Sequence, residues 1–109
     1  MTLDEDAVRD LDREKADLLA LLQAVARRRP EKPLEPRDIG RAVAAAECVA
    51  TAAGRPPTPV PDALTAWYAR HPDPPPLPLL TEAVKAVDRI LAERRTKDLE
   101  DLRARLQGR

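Results

Sequence analysis

The sequence is poor in aromatic residues, cysteine, histidine and glycine. Its 109 residues include no phenylalanine, one tryptophan, one tyrosine, one cysteine, one histidine and three glycines. A single cysteine excludes an intramolecular disulfide and a zinc site made of several cysteines. The chain also has no glycine-rich phosphate loop, no Ser-His-Asp set and no paired histidine or cysteine ligands. We therefore predict no catalytic residues, no cofactor and no metal, and expect a protein that is not an enzyme.

Net charge and long apolar runs are absent as well. Lysine plus arginine number 19, as do aspartate plus glutamate, so the formal net charge is zero. Nucleic-acid-binding domains usually carry a strong basic excess, and this balance argues against that function. No run is long and apolar enough for a membrane span, and the acidic start is unlike a secretory signal. We expect a soluble, cytoplasmic protein that needs no nucleic acid, membrane or small-molecule ligand.

Alanine and leucine are the commonest residues in the hydrophobic 43% of the chain. Both are strong helix formers. β-Branched residues are few, and no stretch alternates polar and apolar residues as a half-buried strand would. We predict the fold class to be all-α, with one domain over residues 1–109. The core is expected to be lean, because alanine buries little apolar surface.

Proline-rich linkers separate the predicted helices, which lie at about 3–29, 36–53, 61–70 and 79–107. The expected architecture is a small bundle of three main helices plus one short helix. Thr2 and Glu5 fit a capping box at the first helix start. A break near 94–97, where Thr96 can cap a new helix, is favoured over one continuous last helix.

The Ala-rich segment 40–54 is nearly free of charge and lies between two of these linkers. Small side chains let other helices approach closely, so this segment is predicted to be the central helix of the bundle. Cys48 within it is interpreted as a small buried hydrophobe. Glu47 is expected either at a solvated edge of the helix or in an ion pair with an arginine; an inward-facing carboxylate is the alternative.

The tryptophan and the tyrosine are adjacent and therefore point about 100° apart on a helix. Trp67 is expected to enter the core with Leu64, leaving Tyr68 nearer the surface; an exposed Trp-Tyr partner site is the alternative. The proline-rich residues 71–78 are expected to be an extended, polyproline-like crossover, with an SH3-type ligand as the alternative. His71 receives no ligand role.

Arginines mark a candidate interaction surface. A triplet at 27–29 follows the first predicted helix, where cations suit the negative end of the helix dipole; a phosphate or nucleic-acid clamp is the alternative. The basic end of the last helix, with Arg103, Arg105 and Arg109, is expected to attract the acidic start of the first helix, within one chain or across a dimer. The candidate interaction residues are Arg27, Arg28, Arg29, Tyr68, Arg95 and Arg103.

Residues 42–50, followed by Ala53-Gly54-Arg55-Pro56, resemble the central "AxAAAExxA…G" motif of a bacterial family of small proteins, domain of unknown function 4259. The helix 83–90 and the segment 96–103 are similar to its later helix and its closing "SELxELW". The family's opening Gly-Trp-Gly is missing, and Arg103 replaces the closing tryptophan. The resemblance covers about residues 36–103. It implies a helical bacterial protein and brings no established catalytic residues.

These features predict a small cytoplasmic module for protein–protein interaction, without catalytic activity. Its partner is expected to be another protein or a second copy of the chain. The alternative, suggested by helical families of immunity proteins, is an immunity- or antitoxin-like regulator that binds and inhibits one specific enzyme.

Overall fold

The computed structural model describes residues 3–108, and these residues form six α-helices and no strand. The all-α class is therefore confirmed, whereas the count of three main helices plus one short helix is wrong. The helices are α1 (Glu5–Glu14), α2 (Leu18–Ala26), α3 (Pro36–Ala52), α4 (Asp62–Arg70), α5 (Leu77–Glu93) and α6 (Lys97–Leu106).

The Ala-rich segment forms α3, which packs against all five other helices. Every residue from 42 to 52 is buried. Alanine side chains leave room for neighbouring backbones to approach from several sides, while Ile39, Val43 and Val49 fill the larger gaps. The prediction of a central helix is confirmed.

The helix predicted at 3–29 is in fact two helices, because the chain turns sharply at Lys15. Lys15 has left-handed backbone angles, φ 52° and ψ 46°. Its amide donates to Asp12 O (3.2 Å) and the amide of Ala16 donates to Leu11 O (3.0 Å), which closes α1 in a Schellman motif. Asp17 then caps α2 by accepting from the Ala20 amide at 3.2 Å.

Replacing Lys15 with glycine is expected to raise the free energy of unfolding by about 0.5–1 kcal/mol, because glycine adopts a positive φ without the steric penalty of a Cβ. Gly54 occupies the equivalent position of the same motif at the end of α3, with φ 83°. Gly54→Ala is therefore the matched control and should lower stability by about 1 kcal/mol. Urea denaturation measures both. A loss of stability in Lys15→Gly would contradict the break between α1 and α2.

The start of α1 differs from the predicted capping box. Thr2 lies outside the described residues, and Asp4 caps the helix by accepting from the amides of Asp6 (3.0 Å) and Ala7 (3.3 Å). Glu5 accepts instead from the Ala63 amide in the first turn of α4, at 3.2 Å. This contact ties the beginning of α1 to the beginning of α4.

The break predicted near 94–97 is confirmed. Arg94 is extended, and the Thr96 hydroxyl accepts from the Leu99 amide at 3.2 Å to cap α6.

The proline-rich crossover between α4 and α5, predicted at 71–78, is shorter than expected, because α5 already begins at Leu77. The chain also bends at Asp73. Pro78 therefore lies in a helix, and the continuous polyproline edge that an SH3-type ligand requires does not form.

Trp67 is 6% exposed and lies in the core with the fully buried Leu64, whereas Tyr68 is 39% exposed. Both predictions for these residues are confirmed.

Cys48 is a free, buried cysteine, and burial raises the pKa of its thiol well above the usual range. A protonated thiol enclosed by apolar neighbours is a packing group. Among residues 3–108, no helix has the length and apolar character needed to cross a membrane.

Candidate functional site

Helices α2 and α5 lie side by side and run in the same direction. At one end, Leu18 and Leu19 of α2 line the same cleft as Leu79 of α5. At the other end, Arg89 of α5 donates to main-chain carbonyls that directly follow α2. Because both helices end on the same side of the molecule, the negative ends of their dipoles lie close together.

Arg89 donates hydrogen bonds to main-chain carbonyl groups at this shared end of α2 and α5. Its side chain is only 8% exposed. Its Nε donates to Arg28 O at 2.9 Å, and its Nη2 donates to Arg29 O at 3.0 Å and Lys32 O at 2.9 Å. One guanidinium therefore donates to three carbonyls. The Arg29 carbonyl also accepts from the Lys32 amide at 3.0 Å, whereas Arg89 is the donor to the carbonyls of Arg28 and Lys32.

Glu93 completes this arrangement one helical turn later. It forms an ion pair with Arg89 Nη1 at 2.7 Å and accepts from the Leu34 amide at 2.9 Å. The Leu34 N–H and then the Arg89 guanidinium hold the pKa of the Glu93 carboxyl below its usual value. We call Arg89 and Glu93 the linker clamp, since together they hold residues 28–34 against α5.

The linker clamp changes the function that can be assigned to the arginine triplet at 27–29. The sequence pattern assigned residues 27–29 to the negative end of the first predicted helix, whereas in the structure Arg89 donates to the carbonyls of Arg28 and Arg29 just beyond that end. Arg28 is half-buried and donates to Pro33 O at 3.3 Å, while its Nε is buried without a partner. The side chains of Arg27 and Arg29 are left exposed, with no hydrogen bond or ion pair to any described residue.

More cations lie at the same end. Arg94 and Arg95 follow Glu93 directly, and Lys32 lies in the clamped linker; all three are exposed. Arg95 is 4.0 Å from Glu100, with both side chains more than half exposed. Lys32 and Arg94 make no ion pair within the described part of the chain. We call these five residues the basic end: Arg27, Arg29, Lys32, Arg94 and Arg95.

Arg103 is close to this surface but is paired. It forms an ion pair with Asp88 of α5, and the bond to Asp88 raises the pKa of its guanidinium. Arg95 and Arg103 line one cleft of about 350 Å³ where α5 meets α6. The structure therefore places two of the predicted interaction residues together, and it places Arg95 at the same end of the molecule as the triplet.

Tyr68 does not join them. It lies on α4, which contacts α1 and α3 but neither α5 nor α6. The six candidate interaction residues thus do not form one surface: five lie on or beside the basic end, and Tyr68 lies on another face.

A second polar cluster joins α3 to α6. Glu47 accepts two bonds from the Arg105 guanidinium, at 2.8 and 3.1 Å, and both side chains are nearly buried. Arg105 Nε also donates to Asp101 at 2.7 Å. Burial opposes the charge on Arg105, but the bonds to Glu47 and then Asp101 outweigh it and raise its pKa. The predicted ion pair of Glu47 is confirmed.

Within one chain, the expected attraction between the basic end of α6 and the acidic start of α1 does not bring the two helices together, because α1 packs against α3 and α4 and not against α6. A contact across a dimer stays a prediction, and Arg109 lies outside the described residues. Arg105 is used within its own cluster. The acidic side chains of α1 have partners too: Asp12 pairs with Arg70, and Glu14 pairs with Arg41 at 3.0 Å. Short-range partners take precedence over the attraction between the two helix ends.

Sequence reasoning missed Arg89 and the partner of Glu47. The available signal for Arg89 was an arginine directly before the apolar pair Ile90-Leu91. Its partners are main-chain carbonyls 57 to 61 positions away, and no side-chain pattern marks a carbonyl.

Within residues 3–108, no group of three or more histidine, cysteine, aspartate or glutamate residues is arranged to hold a metal ion.

The described chain is a six-helix protein organised around an Ala-rich central helix. A family model described as "Domain of unknown function (DUF4259)" matches residues 5–103, so the chain belongs to this family. The match extends further towards the N-terminus than the segment 36–103 on which the resemblance was based. No curated protein and no solved structure matches the chain. Glu47 and Arg89 both lie in segments that carry the family resemblance.

Proposed function

We propose that this protein is a non-catalytic interaction module that binds an acidic surface of a partner protein through the basic end. One observation carries the proposal: the linker clamp already satisfies the carbonyls at this end. The positive charges of Arg27, Arg29, Lys32 and Arg94 are therefore not needed for the helix ends, and their side chains form no ion pair with a described residue, although Arg94 lies close enough to Glu93 to lower the pKa of that carboxyl.

The arrangement of charge supports binding to a protein. The whole chain has equal numbers of acidic and basic residues, so five cations at one end create a local field in a neutral molecule. Such a patch speeds association with an acidic surface and disfavours other partners. A zero net charge suits this purpose better than it suits nucleic-acid binding, which relies on a broad basic excess.

The backbone that carries the patch is held in place. Lys32 O and the Leu34 amide are bound by the linker clamp, and Arg29 O is bound as well. A pre-ordered surface loses less conformational entropy on binding than a flexible loop does. The proposal assigns the module to the bacterial cytoplasm, where a free, buried cysteine such as Cys48 is ordinary.

Charge reversal tests the proposal. Immobilised wild-type protein is compared with Arg27→Glu/Arg29→Glu in capturing proteins from the bacterium that makes it. The control is Lys85→Glu/Lys97→Glu, which changes net charge equally at exposed positions of α5 and α6. We expect one acidic protein to be captured by the wild type and the control, lost from the basic-end variant, and released by salt.

The captured protein is then purified and its binding measured by calorimetry. Each removed contact is expected to weaken binding by roughly 3- to 10-fold at low salt, and less at high salt. Equal affinity of the basic-end variant and the wild type would overturn the proposal. Capture of nucleic acid in place of a protein would overturn it too.

Inhibition of one specific enzyme is the second candidate. Rigidity of the clamped surface favours it over a general adaptor, because a fixed array of charges fits one partner geometry better than many. The two candidates differ in one measurement. If the captured partner is an enzyme and loses activity when bound, the protein is an inhibitor; if activity is unchanged, it is an adaptor.

A further inference from the structure

A groove crosses the turn between α1 and α2 and reaches the C-terminal end of α4. It consists of two adjoining clefts of about 590 and 470 Å³. Both clefts are lined by Ala16, Leu18, Trp67, Arg70 and His71. Because they share these residues, we treat them as one continuous feature and call it the Trp67 groove. None of the basic-end residues lines it.

The floor of the groove is apolar and aromatic. The rings of Trp67 and His71 stack with centroids 4.5 Å apart and planes 16° from parallel. The stack is held by the contact of His71 Nδ1 with Trp67 O at 2.9 Å. Leu18 and Leu19 lie beside it and are only half-buried, although α2 is apolar apart from Gln23. A helix that is apolar on nearly all sides is normally covered.

The two clefts differ in charge. The first is bordered by the cations Arg9, Arg13, Lys15 and Arg70, with Asp12 as its one acidic residue. Arg70 is paired with Asp12, Arg13 with Asp10, and Arg9 with Glu5 and Asp6. Lys15 has no ion pair within the described part of the chain and is the cation of this cleft that is open to a ligand. The second cleft is bordered mainly by Leu19, Leu79 and the prolines between 72 and 76, with Asp17 and Asp73 as its acidic residues. One end of the groove therefore suits an anion, and the other suits an apolar chain.

We infer that the Trp67 groove binds a small amphiphilic anion, with its carboxylate beside Arg13 and Lys15 and its acyl chain along Trp67, Leu19 and Leu79. Ligand sites of this kind are clefts of about 300–1,000 Å³ with mostly apolar walls and a few polar groups that fix orientation. Charge complementarity at one end selects the anion. This inference is independent of the proposed function, which uses the ends of α2 and α5.

The chain contains one tryptophan, so intrinsic fluorescence reports on this groove alone. Dodecanoate is titrated into the protein below the concentration at which the free acid aggregates. We expect a saturable change in Trp67 emission. Dodecanol and dodecyltrimethylammonium have the same chain without the negative charge, and each is expected to bind about tenfold more weakly.

Two substitutions locate the ligand, each with a matched control. Leu18→Glu alters the floor, and Leu77→Glu makes the same change at a residue that is 74% exposed outside the groove. Both positions are the first residue of a helix, where a negative charge is tolerated. Lys15→Glu is paired with Lys97→Glu. We expect affinity for dodecanoate to fall about tenfold in Leu18→Glu and roughly fivefold in Lys15→Glu, and to stay unchanged in both controls.

Three results would overturn the inference. The first is no saturable change in emission with a protein whose circular dichroism is that of a folded helical chain. The second is equal affinity for dodecanoate and dodecanol, or an equal loss in Leu18→Glu and Leu77→Glu. The third is a dimer by analytical ultracentrifugation that is disrupted by Leu18→Glu, because a second copy would then occupy the groove.

Discussion

Replacing Arg89 with methionine is expected to lower the free energy of unfolding by about 3 kcal/mol. Methionine keeps most of the apolar stem but removes every donor. The carbonyls of Arg28 and Lys32 lose their hydrogen bonds from Arg89, Arg29 O keeps only the bond from the Lys32 amide, and Glu93 loses its ion pair at 2.7 Å. An unpaired, partly buried acceptor costs more than the bond itself contributes, and here several are created at once.

Urea denaturation followed by circular dichroism measures this change, with Arg94→Met as the control. Arg94 is exposed and makes no ion pair with a described residue, so its replacement is expected to alter stability by less than about 0.5 kcal/mol. Arg89→Lys should lie between the two, because one ammonium restores the charge but cannot reach three carbonyls in a fork.

Hydrogen exchange gives a second measurement of the same prediction. The Leu34 amide donates to Glu93, and it is expected to lose protection in Arg89→Met well before the amides of α3 do. If Arg89→Met and Arg94→Met are equally stable, Arg89 does not hold the linker, and Arg27 and Arg29 are then not shown to be free for binding a partner.

Replacing Glu47 with leucine is expected to lower the free energy of unfolding by about 2–3 kcal/mol. Arg105 would keep its bond to Asp101 but would lose two bonds to Glu47, and its side chain is 13% exposed. A charge held in such surroundings without its main partner is costly because water cannot replace that partner. The bond to Asp101 and the remaining exposure keep the cost below that of a fully buried pair.

The double variant Glu47→Leu/Arg105→Leu tests whether the loss of stability in Glu47→Leu comes from the unpaired charge of Arg105. With both charges removed, the space between α3 and α6 is filled by apolar groups, and stability is expected to return to within about 1 kcal/mol of wild type. Arg103→Leu removes a more exposed ion pair with Asp88 and should cost less than about 1 kcal/mol. A double variant less stable than Glu47→Leu alone would contradict this account.

Local sequence signals determined much of the fold. Alanine and leucine in place of β-branched and aromatic residues determined the helical class. Prolines marked three of the five linkers, those before α3, α4 and α5, whereas the linkers at 15–17 and 94–96 contain none. Thr96 before a polar helix start marked the break before α6. Asp17, directly before Leu18, is a cap signal of the same kind, but the apolar spacing of residues 8–25 predicts one continuous helix across this position. Two local signals conflicted there, and the cap prevailed.

The candidate site was also predictable only in part from the sequence. The arginine triplet at 27–29 is visible in the sequence as a cluster of positive charge. Whether that charge is used inside the protein or left free is not visible, because the answer depends on Arg89, about 60 residues away. The Trp67 groove likewise unites side chains from α1, α2 and α4 that no spacing rule connects.

The sequence by itself determined the helical class, the central Ala-rich helix and the placement of Trp67, Tyr68 and Cys48 inside or near the surface, because each follows from propensity or periodicity within a few residues. Only the tertiary structure decided which arginine meets which acceptor. Glu47 and Arg105 are 58 positions apart, and many arginines carry the same charge and reach. Helix packing selects among them, since it brings one guanidinium within bonding distance and leaves the others in water.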